Sequence, residues 1–174
     1  MAFTDQNPYA FGLRQIMVVS GDGNTTVELP AAVMVEFSEE HVSKDLDASD
    51  KTVASVSFPK KLTWSMEAGG IPLEAMEVMF GETATASGTT PNQKNELTRN
   101  AGTVSPFFKM IGRSVGDAGD AVYITIPHCK AGPFKGSFGQ EEFFVTKMEG
   151  TALDKGSGLY SITQLETDAE IPVA

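Results

Sequence analysis

Apolar and polar positions alternate with a period of two over much of this chain, the spacing of strands that bury one face. Residues 14 to 20 (RQIMVVS) end at Gly21-Asp22-Gly23-Asn24, a turn sequence whose glycines tolerate the positive φ of tight hairpins. Thr25 to Leu29 resume the strand pattern. After Pro30, Ala32 to Phe37 place Val33, Val35 and Phe37 on one face and Met34 and Glu36 on the other. Residues 53 to 66 read as an extended stretch broken at Pro59-Lys60-Lys61. In its second half Leu62, Trp64 and Met66 point one way while Thr63, Ser65 and Glu67 point the other. Further strands are predicted at 106 to 113, at 121 to 130 (Val122, Ile124 and Ile126 on one face), at 142 to 149 and at 159 to 165.

One segment changes period. From Pro72 to Phe80, before Gly81, the residues Leu73, Met76 and Phe80 follow helical spacing. Proline suits the first turn, Glu74 and Glu77 sit near the positive end of the dipole, and glycine suits the position after the last turn. The pattern predicts a helix over about 72–80 that covers a sheet. Two segments match neither period: the charged, apolar-poor stretch 38–52, and 82–103, within which Gln93 to Arg99 is open to a polar strand. Both are expected as long loops, which inside a compact domain are either functional or disordered. The expected fold is all-β, a β-sandwich or partly closed barrel with one flanking α-helix and long loops, in a single domain spanning 1–174.

Composition narrows the function classes. No run of 18 apolar residues occurs, so no membrane-spanning helix and no membrane insertion are expected. The N-terminus, MAFTDQNPYAFG, has no basic n-region and no apolar h-region, which predicts no signal peptide and fits synthesis in a reducing cytoplasm. The net charge of −10 argues against a protein that grips nucleic acid, because such proteins place cations against phosphates. It fits either plain solubility or a surface that stays near DNA without sticking to it.

Catalytic chemistry finds no constellation, and the chain is expected not to be an enzyme. His128 and Cys129 are adjacent, and on a strand adjacent side chains point to opposite faces, so they form no dyad. His41, His128 and a single cysteine leave little for a zinc site. Asp45, Asp47 and Asp50 begin like a calcium loop, but the sixth and twelfth positions are Asp50 and Val56 where glycine and glutamate are required. Neither a phosphate-cradling nor a dinucleotide-binding glycine motif is present. No cofactor and no metal are expected.

Four segments, LTWSMEAGGIPLEAMEVMFG (62–81), SPFFKMIGRSVGD (105–117), GSFGQEEFFVTKMEGTALD (136–154) and GLYSITQLETDAEIP (158–172), together resemble the major tail tube protein of long-tailed bacteriophages. That family is related to the tubes of contractile tails and type VI secretion systems. The resemblance implies a homohexameric ring, rings stacked into a virion tail tube, DNA passing through the lumen, and tape measure, tail terminator and tail tip proteins as partners. By the same analogy the 38–52 segment is the inter-ring arm, with Glu39, Glu40, Lys44, Asp45, Asp47, Asp50 and Lys51 making salt-sensitive contacts. A solvated loop is the competing reading. Glu67, Glu141 and Glu142 are expected among acids that repel phosphate from the lumen wall. The alternative from another class is a ligand- or carbohydrate-binding β-sandwich. It requires exposed aromatics, whereas the chain's one tryptophan alternates with Leu62 and Met66 as a core residue does.

Overall fold

The computed structural model describes residues 11–29, 32–48, 51–70, 73–116, 120–137, 140, 144–165 and 171. Its elements in chain order are β1 (Phe11–Ser20), β2 (Thr26–Glu28), β3 (Ala32–Ala48), β4 (Lys51–Gly69), α1 (Leu73–Phe80), β5 (Thr85–Ser87), β6 (Lys94–Glu96), β7 (Phe107–Val115), β8 (Ala121–Ser137), β9 (Val145–Ala152) and β10 (Ser161–Leu165). Eight strands form one antiparallel sheet in the order β2-β1-β7-β8-β9-β4-β3, with β10 also on β8. β5 and β6 make a separate two-stranded ribbon. The fold is all-β with one helix, and the large sheet does not close into a barrel.

β8 is the spine. Its first part pairs with β7 on one edge and β10 on the other, and its last part pairs with β9. Extra residues enter β8 between its pairings at Ile126 and Cys129, and again between Ala131 and Phe134. Such bulges bend a strand and raise its twist. The halves on either side of β8 pack face to face, sandwich-fashion, so that Trp64 of β4 meets Phe108 of β7 edge-on at 5.7 Å between ring centroids.

The core between the halves is built from the alternating residues. Ile16, Val18, Leu62, Trp64, Met66, Phe108, Met110, Ile126, Cys129 and Met148 are all buried there. α1 caps it with Ala75, Met76, Val78, Met79 and Phe80. The helix stops where Gly81, at φ 72°, donates its N–H to the Glu77 carbonyl at 2.8 Å, the left-handed closure that favours glycine. A smaller cluster of Met17, Ala121, Tyr123 and Ile171 is also buried. The β1–β7–β8 half therefore carries apolar residues on both faces.

The largest departure from the sequence reading is at 38–52. The segment is not an irregular loop: residues to Ala48 continue β3, and Lys51 and Thr52 begin β4. Cross-strand hydrogen bonding does not require apolar side chains, so a charged stretch can be a strand. Pro59 does not break the stretch either, because β4 runs through it. The proline lies where β4 pairs only with β3, since pairing with β9 begins at Leu62, an edge position where a missing N–H is tolerated. Val33 also differs from expectation. It is the extra residue of a bulge opposite Ala68 and Glu67, and it is exposed. In the 82–103 segment the polar strand is real, reduced to β6 and paired with β5.

Core packing leaves no room at Gly150. It pairs with Trp64, and a Cβ there would sit 2.4 Å from the indole and 2.2 Å from the Lys130 carbonyl oxygen. Gly150→Ala is expected to lower unfolding stability by about 3 kcal/mol, the scale of overpacking against backbone. Urea denaturation followed by Trp64 fluorescence measures it, and an unchanged midpoint would refute the packing account.

Candidate assembly surfaces

From Lys61 outward, β3 and β4 pair only with each other, so residues 41–48 and 51–60 form a two-stranded ribbon beyond the sandwich. Eight residues at strand rise reach roughly 26 Å. An isolated two-stranded ribbon is marginal in water. The side chains on one face of this one are joined across the strands. Ser43 donates to Ser57 at 3.2 Å, Ser55 to Asp45, and Thr52 to Asp47 at 2.8 Å.

The expected contact residues fall into separate places. Asp45 and Asp47 lie on that hydrogen-bonded face, and their carboxylates serve the ribbon itself. Lys44 is opposite Val56, on the other face. Lys51 pairs with Ala48 at the far end, and Asp50 lies outside the described residues. Glu40 is at the base, 2.8 Å from Lys61 Nζ. Exposed ion pairs of this kind contribute little, because water and salt screen them.

Glu39 anchors the ribbon's root. It accepts hydrogen bonds from His41 Nε2 at 2.8 Å and from the Tyr160 hydroxyl, and these two, in that order, hold its carboxyl below the usual range. Glu39 in turn pushes the Tyr160 hydroxyl above the ordinary tyrosine value. The Tyr160 ring packs on Phe37 at 6.0 Å, joining the segment before β10 to the strand from which the ribbon springs.

A second surface is the outer face of β3, β4, β9 and β8. The registers align Glu36 with Ser65 and Glu149, and Ser38 with Thr63, Thr151 and Lys130. Together they line an open trough of about 940 Å³. Glu67, expected on a lumen wall, lies on this face and is ion-paired with Lys147 of β9. Lys135 pairs with Glu149 in the same way. Among the described residues Glu36, Glu40, Glu67 and Glu149 are balanced by Lys61, Lys130, Lys135 and Lys147, so that part of the face is close to neutral. Glu141 and Glu142 lie outside the described residues.

Carboxylates gather instead beside α1. Asp22, Glu77 and Glu82 line a cleft of about 620 Å³ between the β1–β2 turn and the helix end. Each accepts hydrogen bonds: Asp22 from Ser20 and Asn24, Glu77 from the Ala84 N–H, Glu82 from the Asn100 N–H. A Thr103 hydrogen bond, ahead of that from Asn100, holds Glu82 below the usual carboxylate range. Sequence reading missed this grouping because Asp22 and Glu82 are brought together only by packing.

His128 and Cys129 point in different directions and form no dyad with each other. Cys129 is in the core, where burial pushes its thiol up to about 12. The His128 ring lies edge-on to Phe107, which alternates with the buried Phe108. Among the described residues no group of three or more potential ligands could hold a metal ion, and no helix is long and apolar enough to cross a membrane.

No protein-family model matches the chain, and no curated protein does. Solved structures similar to it include a chain of the anti-feeding prophage baseplate, 8% identical with a TM-score of 0.49, covering 95% of this chain and 97% of that one. Another is a chain of the anti-feeding prophage tube-terminating cap, 12% identical with a TM-score of 0.43 and 94% of each chain covered. A third belongs to the sheath–tube complex of the PVC extracellular contractile injection system in its extended state. It is 11% identical with a TM-score of 0.44, over 90% of this chain and 93% of that one. Identities and scores this low carry no statement about what the chain does.

The bonds at Glu39 define a pH window. Its lowered value favours the fold above the carboxylate range, and that contribution is lost as pH falls through the folded value. The raised value of Tyr160 favours the fold below the ordinary tyrosine range, and that contribution is lost as pH rises through the folded value. In Tyr160→Phe the Glu39 carboxyl should titrate closer to its ordinary value, and in His41→Ala closer still. Carboxyl carbon NMR titration reads this directly; an unmoved Glu39 in both variants would mean the bonds do not form in solution.

Proposed function

We propose that this chain is a structural, self-assembling subunit of a tail tube, forming hexameric rings that stack into a conduit for DNA. The observation that carries this reading is the β3–β4 ribbon, which leaves the sandwich and pairs with no further strand among the described residues. Among the described residues, the edge strands β2, β3 and β10 also lack a partner on their outer side. Proteins that stay monomeric shield such edges, whereas closed rings pair them. The resemblance of 62–81, 105–117, 136–154 and 158–172 to tail tube proteins supplies the kind of assembly, the hexamer, and the tape measure, terminator and tip proteins as its partners.

In this reading the ribbon spans the junction between rings and brings Glu39, Glu40, Lys44, Asp45, Asp47, Asp50 and Lys51 near the neighbouring ring. Acidity serves passage, because a wall without excess cations gives phosphate nothing to release counterions against. Glu67, on the charge-balanced face, suits a wall that neither holds nor strongly repels DNA. Glu141 and Glu142 belong to the same proposal. The carbohydrate-binding alternative gains no support from Trp64, which is 2% exposed.

Deleting residues 42–50 should leave the sandwich folded, with the Trp64 environment unchanged, and should abolish tube formation in negative-stain electron microscopy. Normal tubes from that variant would overturn the ribbon's role. A wild-type chain that stays monomeric at every concentration would overturn self-assembly altogether.

A further inference from the structure

The amphipathic pattern of the sheet reverses where the ribbon begins. Within the sandwich, the face of β3 and β4 carrying Val35, Phe37, Leu62, Trp64 and Met66 is turned to the core, and the opposite face is polar. Along β3, positions 35 to 47 on the core-side face run from Val35 and Phe37 to Glu39, His41, Ser43, Asp45 and Asp47. The outer-face positions run oppositely, from Glu36, Ser38 and Glu40 to Val42, Lys44 and Leu46.

β4 makes the same reversal by a different device. Its apolar residues keep even numbers throughout, Ala54, Val56 and Phe58 and then Leu62, Trp64 and Met66. Glu40 pairs with Lys61 while His41 pairs with Pro59, so Lys60 is an extra residue that shifts the phase by one. Val42 therefore faces Phe58, Lys44 faces Val56, and Leu46 faces Ala54 on the outer face. Val56 is 60% exposed, Leu46 64% and Phe58 48%. Two strands reach one arrangement independently, an apolar stripe turned away from the protein's own core.

Charge is sorted along with polarity. Asp45 and Asp47 are on the opposite face, bonded to Ser55 and Thr52. The stripe contains Lys44, and the carboxylate nearest along its strand, Glu40, is ion-paired with Lys61. An apolar face bearing Lys44, with Lys51 at its far end opposite Ala48, complements an acidic surface, and the chain as a whole carries −10. The geometry points to this stripe, and not the ribbon's carboxylates, as the docking face, with a second copy of the chain as its occupant. This rests on the self-assembly proposed above and names the face that performs it. The ribbon's acids stiffen it and stay in water.

The test uses the full chain and three substitutions. Val56→Asp and Leu46→Asp put a charge on the stripe, and Ser43→Asp puts the same charge on the opposite face. The stripe variants should raise the concentration needed for assembly by about tenfold or more, since each puts a carboxylate in the apolar contact and Val56→Asp also neutralises the facing Lys44. Ser43→Asp should change it by about twofold at most, as an exposed substitution does. Sedimentation velocity reads assembly, and circular dichroism with Trp64 fluorescence checks the fold. If either stripe variant loses its fold, Val56→Ser, which removes the apolar surface without a charge, takes its place with a smaller shift in the same direction. Wild-type assembly with unaffected stripe variants would overturn this inference alone, and so would a larger effect from Ser43→Asp. A wild type that never assembles would overturn the self-assembly reading beneath it.

Discussion

A strand with period two can bury only one face, and β4 has to serve two bodies. Over Leu62 to Ala68 its even-numbered residues fill the sandwich core beside β9. Over Ala54 to Phe58 the even-numbered residues are again apolar, yet they emerge on the opposite face. The extra residue Lys60 makes both possible in one continuous strand, without a break in pairing to β3. Without that phase shift Ala54, Val56 and Phe58 would lie on the side where Ser43, Asp45 and Asp47 now stand. A bulge is usually read as a local irregularity. Here it separates the part of the sheet that builds the core from the part that pairs with no further strand among the described residues.

The sandwich end of β4 depends on close approach. Trp64 lies against the backbone of Gly150 and meets Phe108 from the far half of the sheet. Its Nε1 is buried without a hydrogen-bond partner among the described residues, a cost of about 1–3 kcal/mol that the ring's large apolar contact offsets. β8 allows the approach by carrying two bulges between its pairings with β7 and β9. The helix closes one side of the core. The opposed Leu13, Val35, Phe37 and Ile124 border a remaining apolar cavity of about 130 Å³ where the sheet stays open.

Electrostatics divides the surface differently from the way charge is written along the chain. The outer face of β3, β4, β9 and β8 alternates acid and base across strands and comes out near neutral. Asp22, Glu77 and Glu82 collect at the cleft beside α1, each accepting hydrogen bonds. The carboxylates of the ribbon are spent largely on its own hydroxyls and on the root contacts of Glu39 with His41 and Tyr160. Treating 38–52 as a loop of free charges therefore misjudged its conformation.

Local periodicity was enough to determine the strand-rich class, the α1 helix with its Gly81 stop, and the burial of Leu62, Trp64 and Met66. Each follows from neighbours within one turn or one pleat. The same alternation located most strands and placed His128 and Cys129 on opposite faces. Residues 38–48 were not legible as strand because their apolar positions are too few to outweigh the charges, and only pairing with 51–61 reveals them. The reversal at Lys60 is present in the sequence as two runs of even-numbered apolar residues. Whether those runs share a face depends on the register against β3, a relation between residues about twenty positions apart, and only the tertiary structure decides it.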